Sequence, residues 1–182
     1  MQTAESAAEA AAEKRQEWID HVSRTTAVLA VLAALSSGQY AGKFSSTILA
    51  QAEASDQWSY YQAKSIKKHL SEGQFEMAQV LAAARPDLAA PLARLQEAER
   101  KNAKKYEEEL AQIKAQAEAT EARKRKHQQQ GDRFQYAFVV LQAGVVLSTI
   151  AASARRKELW LFAIASGVVG LLMVVNGFLL IF

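Results

Sequence analysis

The chain contains no cysteine, which excludes disulfides, thiolate catalysis and thiolate metal sites. Its three histidines, His21, His69 and His127, stand far apart, and no HExxH, GxSxG or glycine-rich phosphate loop occurs. Acidic residues such as Glu107, Glu108 and Glu109 read as ordinary helix-surface charge. No catalytic residue, metal ligand or cofactor is therefore expected, and the chain reads as a non-enzyme. The net charge of +3 is too small for the concentrated basic surface of a nucleic-acid binder, so no nucleic-acid partner is expected. Proline is nearly absent too: the only two are Pro86 and Pro91. Most informative is the missing charge. Residues 134–153 and 159–182 hold no Asp, Glu, Lys, Arg or His, whereas residues 90–133 are thick with them.

Segregation of that kind suits two solvents. A membrane-crossing helix needs about 20 predominantly apolar residues, because each rises about 1.5 Å through a core about 30 Å thick. Both uncharged stretches reach that length, and the near-neutral mean hydropathy of the whole chain averages over two environments. The expectation is an all-α membrane protein. An Ala/Glu-rich tail covers residues 1–17, a first transmembrane helix residues 18–44, an extramembrane helical hairpin residues 45–130, and a two-span hairpin residues 131–182, with spans at 134–153 and 159–182.

The first span is the weakest of the three. Its strictly apolar core, TTAVLAVLAAL from Thr25 to Leu35, is about ten residues, a length shared by signal-peptide cores and interfacial helices. Counting the Ser, Gly, Gln and Tyr residues up to Phe44 extends it to about twenty, and Trp18 and Tyr40 sit where an aromatic belt would place them, which favours an uncleaved span.

Residues 45–84 read as helix, with Ile48, Ala52, Ser55, Trp58, Gln62 and Ile66 near one stripe and Gly73 as a weak point. Arg85-Pro86-Asp87, followed by Pro91, predicts a chain reversal within residues 85–91, since a residue before proline avoids the α region and proline starts helices well. A second helix is predicted from about Leu88 to about Gln130. Its stripe, Leu88, Leu92, Leu95, Tyr106, Leu110, Ile113 and Ala117, is interrupted at Glu99 and Asn102, so the hairpin reads as coiled-coil-like. Gly131 and Asp132 are expected to punctuate the chain before the membrane, and residues 154–158 to form a tight turn.

Three sets of candidate contact residues follow. Gly144, Ser148 and Ala152 recur every four residues, as do Ala163 and Gly167, and Ser166 and Gly170; small residues so spaced let helix backbones approach closely, within one chain or between copies. Gln142 and Asn176, polar within apolar stretches, are read as interhelical glue because no ionisable group accompanies them. On the helix, Asp56, Tyr60 and Lys64 share one face and Ala54, Trp58, Tyr61 and Ser65 another, a hairpin contact rather than a ligand site. The basic run Arg123, Lys124, Arg125 and Lys126, with Arg133 close behind, is expected to meet anionic lipid headgroups.

The strings Trp18-Ile19-Asp20 before TTAVLAVLAAL and SDQWSYYQAKSIK from Ser55 to Lys67 resemble a bacterial membrane family catalogued as domain of unknown function 4337. The likeness runs from about Trp18 to the C-terminus. It implies one N-terminal span, a helical middle, a C-terminal pair of spans and an inner-membrane location, and it implies no known activity.

Flanking charges set orientation. Lys14, Arg15 and Arg24 would share a side with Arg155, Arg156 and Lys157, which predicts a cytoplasmic N-terminus and a periplasmic hairpin. The expected function is a membrane-anchored, homo-oligomeric scaffold whose hairpin engages an unidentified protein partner. The alternative is a small channel or transporter, or an auxiliary subunit of one, with Gln142 and Asn176 lining a polar route.

Overall fold

A computed structural model of the chain describes the backbone of residues 2–181 and the side-chain surroundings of residues 12–181. The expectation for the Ala/Glu-rich tail falls partly outside the described residues; from Ala12 to Glu17 its side chains are exposed on a helix. Every element is helical: α1 spans Gln2–Ala84, a single 3-10 turn spans Pro86–Leu88, α2 spans Ala89–Ala154 and α3 spans Lys157–Leu179.

The boundaries follow from local chemistry. No proline precedes Pro86, and an isolated glycine costs a helix only about 1 kcal/mol. So α1 runs unbroken through Gly38, Gly42 and Gly73, and the expected weak point at Gly73 is not a break. The helix stops where Pro86 forces Arg85 into extended geometry, φ −133° and ψ 81°. Arg85 N–H still reaches the Leu81 carbonyl at 2.9 Å, and its guanidinium clasps Asp87 through two bonds of 2.9 and 2.7 Å, fixing the corner. The corner lies where proline places it.

The expected end of the second helix near Gln130 is not found, because α2 continues through Gly131 and Asp132 to Ala154. Gly131 is buried rather than a breaker: a Cβ there would sit 3.5 Å from Lys43 Cβ. The turn after Ala154 is tight, with Arg155 at φ 55° and Arg156 N–H bonded to the Ala151 carbonyl at 3.2 Å.

The chain divides into two compact units, one made of Met1–Ser46 with Lys126–Phe182 and the other of Thr47–Arg125. In the first unit three helical segments pack around Leu29, Ala33, Leu141 and Ala163, with Leu32, Phe138, Val145, Leu147 and Val174 partly buried against them. Two helices among the described residues are long and apolar enough to cross a membrane, the one ending at Ala154 and α3; the helix carrying residues 25–44 is not among them.

In the second unit, rising residue numbers on α1 meet falling numbers on α2. Glu53 contacts Arg123, Trp58 contacts Glu121, Lys64 contacts Glu109 and Lys68 contacts Glu107. Inward positions recur every three or four residues: Ala50, Ala54, Gln57, Tyr61, Lys64, Lys68, Ser71, Phe75 and Ala78 on α1, and Leu92, Gln96, Glu99, Ala103, Tyr106, Leu110, Ile113, Ala117 and Thr120 on α2. This corrects the α1 stripe, while five residues of the α2 stripe, Leu92, Tyr106, Leu110, Ile113 and Ala117, do face inward. Of the six α1 residues placed near one stripe only Trp58 is partly buried; Ile48, Ala52, Ser55, Gln62 and Ile66 are exposed. Leu88, in the 3-10 turn, and Leu95, on α2, are exposed, whereas Glu99, expected to interrupt the repeat, lies on it. The reason on α1 is size: its side of the seam is built largely from alanines and hydrogen-bonding side chains, which large apolar residues do not mark.

Candidate interaction surfaces

Small residues in the first unit mark where its helices touch. A Cβ added at Gly144 would lie 3.2 Å from Ser166 Cβ and 3.3 Å from both the Ala163 carbonyl and Leu29 Cδ1. At Gly167 it would meet Leu29 Cδ2 at 2.7 Å, and at Gly170 it would meet Leu141 Cγ at 2.5 Å. Ala163 is fully buried and Ala152 partly so. Ser148, also fully buried, donates to Thr26 Oγ1 at 2.7 Å, and Thr26 in turn donates to the Val22 carbonyl at 2.9 Å. These residues therefore pack within one chain.

The pattern search missed Gly177, whose added Cβ would strike the Phe134 ring at 2.8 Å, and it missed the ring itself, which is fully buried and packs edge-to-face on Phe178 at 4.9 Å. The signal was present: Ala163, Gly170 and Gly177 repeat every seven residues, a period longer than the one searched. Leu29 fills the space left at Gly144 and Gly167, Leu141 that at Gly170 and Phe134 that at Gly177.

The two polar residues of the apolar helices part company. Asn176 is buried, and its Oδ1 accepts the Ile181 N–H at 2.9 Å while its carbonyl accepts the Leu180 N–H at 2.7 Å, so it ties down the left-handed end of α3. Gln142 faces outward and makes no hydrogen bond among the described residues. It lies in a shallow groove with Phe138, Val139, Ala143, Val146 and Leu147.

At the opposite end of this unit from Gly177, Trp160 Nε1 donates to Thr25 Oγ1 at 3.2 Å, and Ser148 reaches Val22. Those contacts bring Arg24 to the same end as the turn carrying Arg155, Arg156 and Lys157.

The second unit holds the cluster around Lys64. Its ammonium bonds Glu109 and lies 5.4 Å from the centroids of both the Tyr60 and Tyr106 rings. The hydrogen bond to Glu109 raises the Lys64 pKa above its ordinary value, against some desolvation, and the same bond lowers that of Glu109. Trp58 Nε1 donates to Glu121 at 3.0 Å, and its ring stands edge-on to Tyr61 at 5.6 Å. Asp56 and Tyr60 lie on the exposed side, and Lys64 reaches across to α2 rather than back to Asp56.

The basic run is largely engaged inside the same unit. Arg123 bonds Glu53 and Thr120, each at 3.0 Å, Lys124 bonds Gln51 at 2.9 Å, and Arg125 approaches Glu121 at 3.6 Å. Lys126 is exposed and Arg133 partly so, neither with an ion pair.

A surface that no sequence stripe singled out runs along the outer side of α1. Ile66, Leu70, Met77 and Val80 are 68%, 59%, 67% and 69% exposed. With Ala63, Gly73 and Ala84 they form a second row at steps of three and four residues, in a unit otherwise rich in charge. No group of His, Asp or Glu among the described residues could hold a metal ion. The chain matches no curated protein and no solved structure. The family model described as a domain of unknown function, DUF4337, matches residues 18–180, and the chain belongs to that family.

Proposed function

We propose that the protein is a membrane-anchored helical scaffold without catalytic chemistry, which assembles with copies of itself and presents a coiled-coil hairpin outside a bacterial inner membrane. The observation that carries the assembly is the outer row Ile66, Leu70, Met77 and Val80. A contiguous apolar row at coiled-coil spacing, left open on a charged hairpin, marks a protein-protein contact. The hairpin seam itself is thin, and covering the row would add the apolar burial that two helices alone lack.

Membrane insertion of the first unit is supported by where its apolar surface points. Only 11% of the most apolar window of α3 is buried within the chain, the reverse of a core helix in a soluble protein. Packing of Val22, Leu29 and Ala33 alongside both apolar helices supports the first span as well. The shared end of Arg24, Arg155, Arg156 and Lys157 supports a cytoplasmic N-terminus with a periplasmic hairpin. Lys126 and Arg133 are the basic residues open to anionic headgroups.

The channel alternative keeps little: Asn176 is committed to the end of α3, which removes half of its polar route.

Mass measurement of the detergent-extracted, folded chain tests the assembly, with a multiple of 20.0 kDa expected. A strictly monomeric mass overturns it. Replacing Leu70 and Met77 by Glu is expected to lower the oligomeric state without unfolding the hairpin, because both side chains already face solvent. Orientation is tested by single cysteines at Ser6, Gln116 and Ser153 with a membrane-impermeant maleimide on spheroplasts. Labelling of Gln116→Cys alone is expected, and its protection until lysis would reverse the orientation.

A further inference from the structure

We infer that Gln142 is the centre of a membrane-embedded seam at which α2 packs in parallel against α2 of a second copy. The inference rests on the reading of the first unit as membrane-inserted, and it names a second face for the copies to share, beside the outer row of α1.

On the outward side of α2, Gln128, Gln135, Gln142 and Thr149 recur every seven residues. Between the last three stand Val139 and Val146, both exposed, and together with Gln135, Gln142 and Thr149 they form a row at steps of four and three. Thr149 satisfies its own hydroxyl on the Val146 carbonyl at 2.7 Å, and Gln135 lies within a turn of Arg133. Gln142 has neither remedy. It stands nine residues beyond Arg133, about 13 Å along the axis at 1.5 Å per residue, near the middle of a hydrocarbon core about 30 Å thick. Its amide makes no hydrogen bond among the described residues, and acyl chains offer none.

A second copy fits this face because the amide is both donor and acceptor. Copies inserted with the same orientation are related by an axis along the membrane normal, so the same helix meets itself in parallel and places Gln142 at equal depth on both sides. One side-chain pair then satisfies both amides. The flanking β-branched valines suit the close parallel seam of a two-stranded coil, and the groove beside Ala143 leaves room for the approach. The outward face of α3 has no amide, and on α1 the exposed Gln39 follows Val28, Val31 and Leu35 without a heptad partner. Val28, Val31 and Leu35 on α1, and Val168, Leu172 and Val175 on α3, are exposed and purely aliphatic, as a lipid-facing surface should be.

The absence of native cysteine makes the test direct. Single replacements Val139→Cys, Gln142→Cys and Val146→Cys in the full chain, oxidised in membrane vesicles, are expected to give a species of twice the chain mass, whereas Val31→Cys and Val168→Cys are not. Gln142→Leu should weaken association in detergent roughly three- to tenfold, the scale of interhelical polar contacts in membranes, and Gln142→Asn should retain most of it. An oligomeric mass with cross-links at Val31→Cys or Val168→Cys, or with none on the Gln142 face, overturns this seam and leaves the scaffold standing. A monomeric mass overturns both.

Discussion

The two units bury opposite kinds of residue. The first closes on glycine, alanine, Leu29 and Leu141, with added atoms at Gly167, Gly170 and Gly177 falling inside 3 Å of a neighbour, and turns many of its other valines and leucines outward. The second closes on alanine, Leu110 and Ile113 together with Gln57, Lys64, Glu99 and Thr120, uses ion pairs across its seam, and leaves Gly73 in open space. On the scaffold reading the difference is one of solvent. Lipid gives helices no hydrophobic reason to associate, so contact there depends on close fit. Water supplies the drive, so the hairpin tolerates a loose, polar seam while exposing apolar residues for a partner.

The sharpest way to break the comparison is to add one methyl group to each unit. Gly170→Ala places a Cβ 2.5 Å from Leu141 Cγ, which forces a backbone or rotamer shift of the sort that costs about 1–3 kcal/mol. Hydrogen exchange should show protection falling around residues 134–148 and 160–177. Next in size, Trp58→Phe removes the bond to Glu121 and should loosen the second unit by about 1 kcal/mol. Gly73→Ala has the opposite sign: nothing stands within 4 Å of the new Cβ, and alanine gains about 0.5–1 kcal/mol in helix propensity, so protection across residues 62–82 should rise. Loss of protection on Gly73→Ala would mean that the outer row of α1 is already in close contact with a partner.

How much of this was legible depended on what decided each feature. The corner at Arg85 and Pro86 and the turn after Ala154 were readable because local backbone chemistry settles them. Gly131 was misread because a glycine inside a helix looks the same whether it breaks the helix or lets Lys43 approach. The α1 side of the second unit's seam was hidden for a different reason: Lys64 and Lys68 face inward because Glu109 and Glu107 on the opposite helix receive them, and no single stretch of sequence displays that pairing. The small-residue face was legible in kind, yet its seven-residue period was not, and with it went Gly177 and Phe134.

The smallest expected effect is the one that separates the units most cleanly, because it depends on charge alone. Glu109 has its folded-state pKa lowered by the bond from Lys64, so its contribution is complete above the unfolded carboxylate value, about 4.3, and is lost as pH falls through the depressed value. Lys64 has its folded-state pKa raised by the same bond, so its contribution is complete below about 10.4 and is lost as pH rises through the raised value. Denaturant unfolding read by Trp58 fluorescence, in a chain with Trp18 and Trp160 replaced by Phe, should show a plateau between roughly pH 5 and 10 with a decline on either side. Glu109→Gln should remove this pair's share of the acid decline and shrink the alkaline one, and salt should shrink both, since Glu109 is partly open to water. The packing of Leu29, Leu141 and Ala163 holds no titrating group, so probes in the first unit should stay level across the same range. A plateau unchanged by Glu109→Gln would show that the seam of the second unit is held by shape after all, and would erase the contrast between the two units.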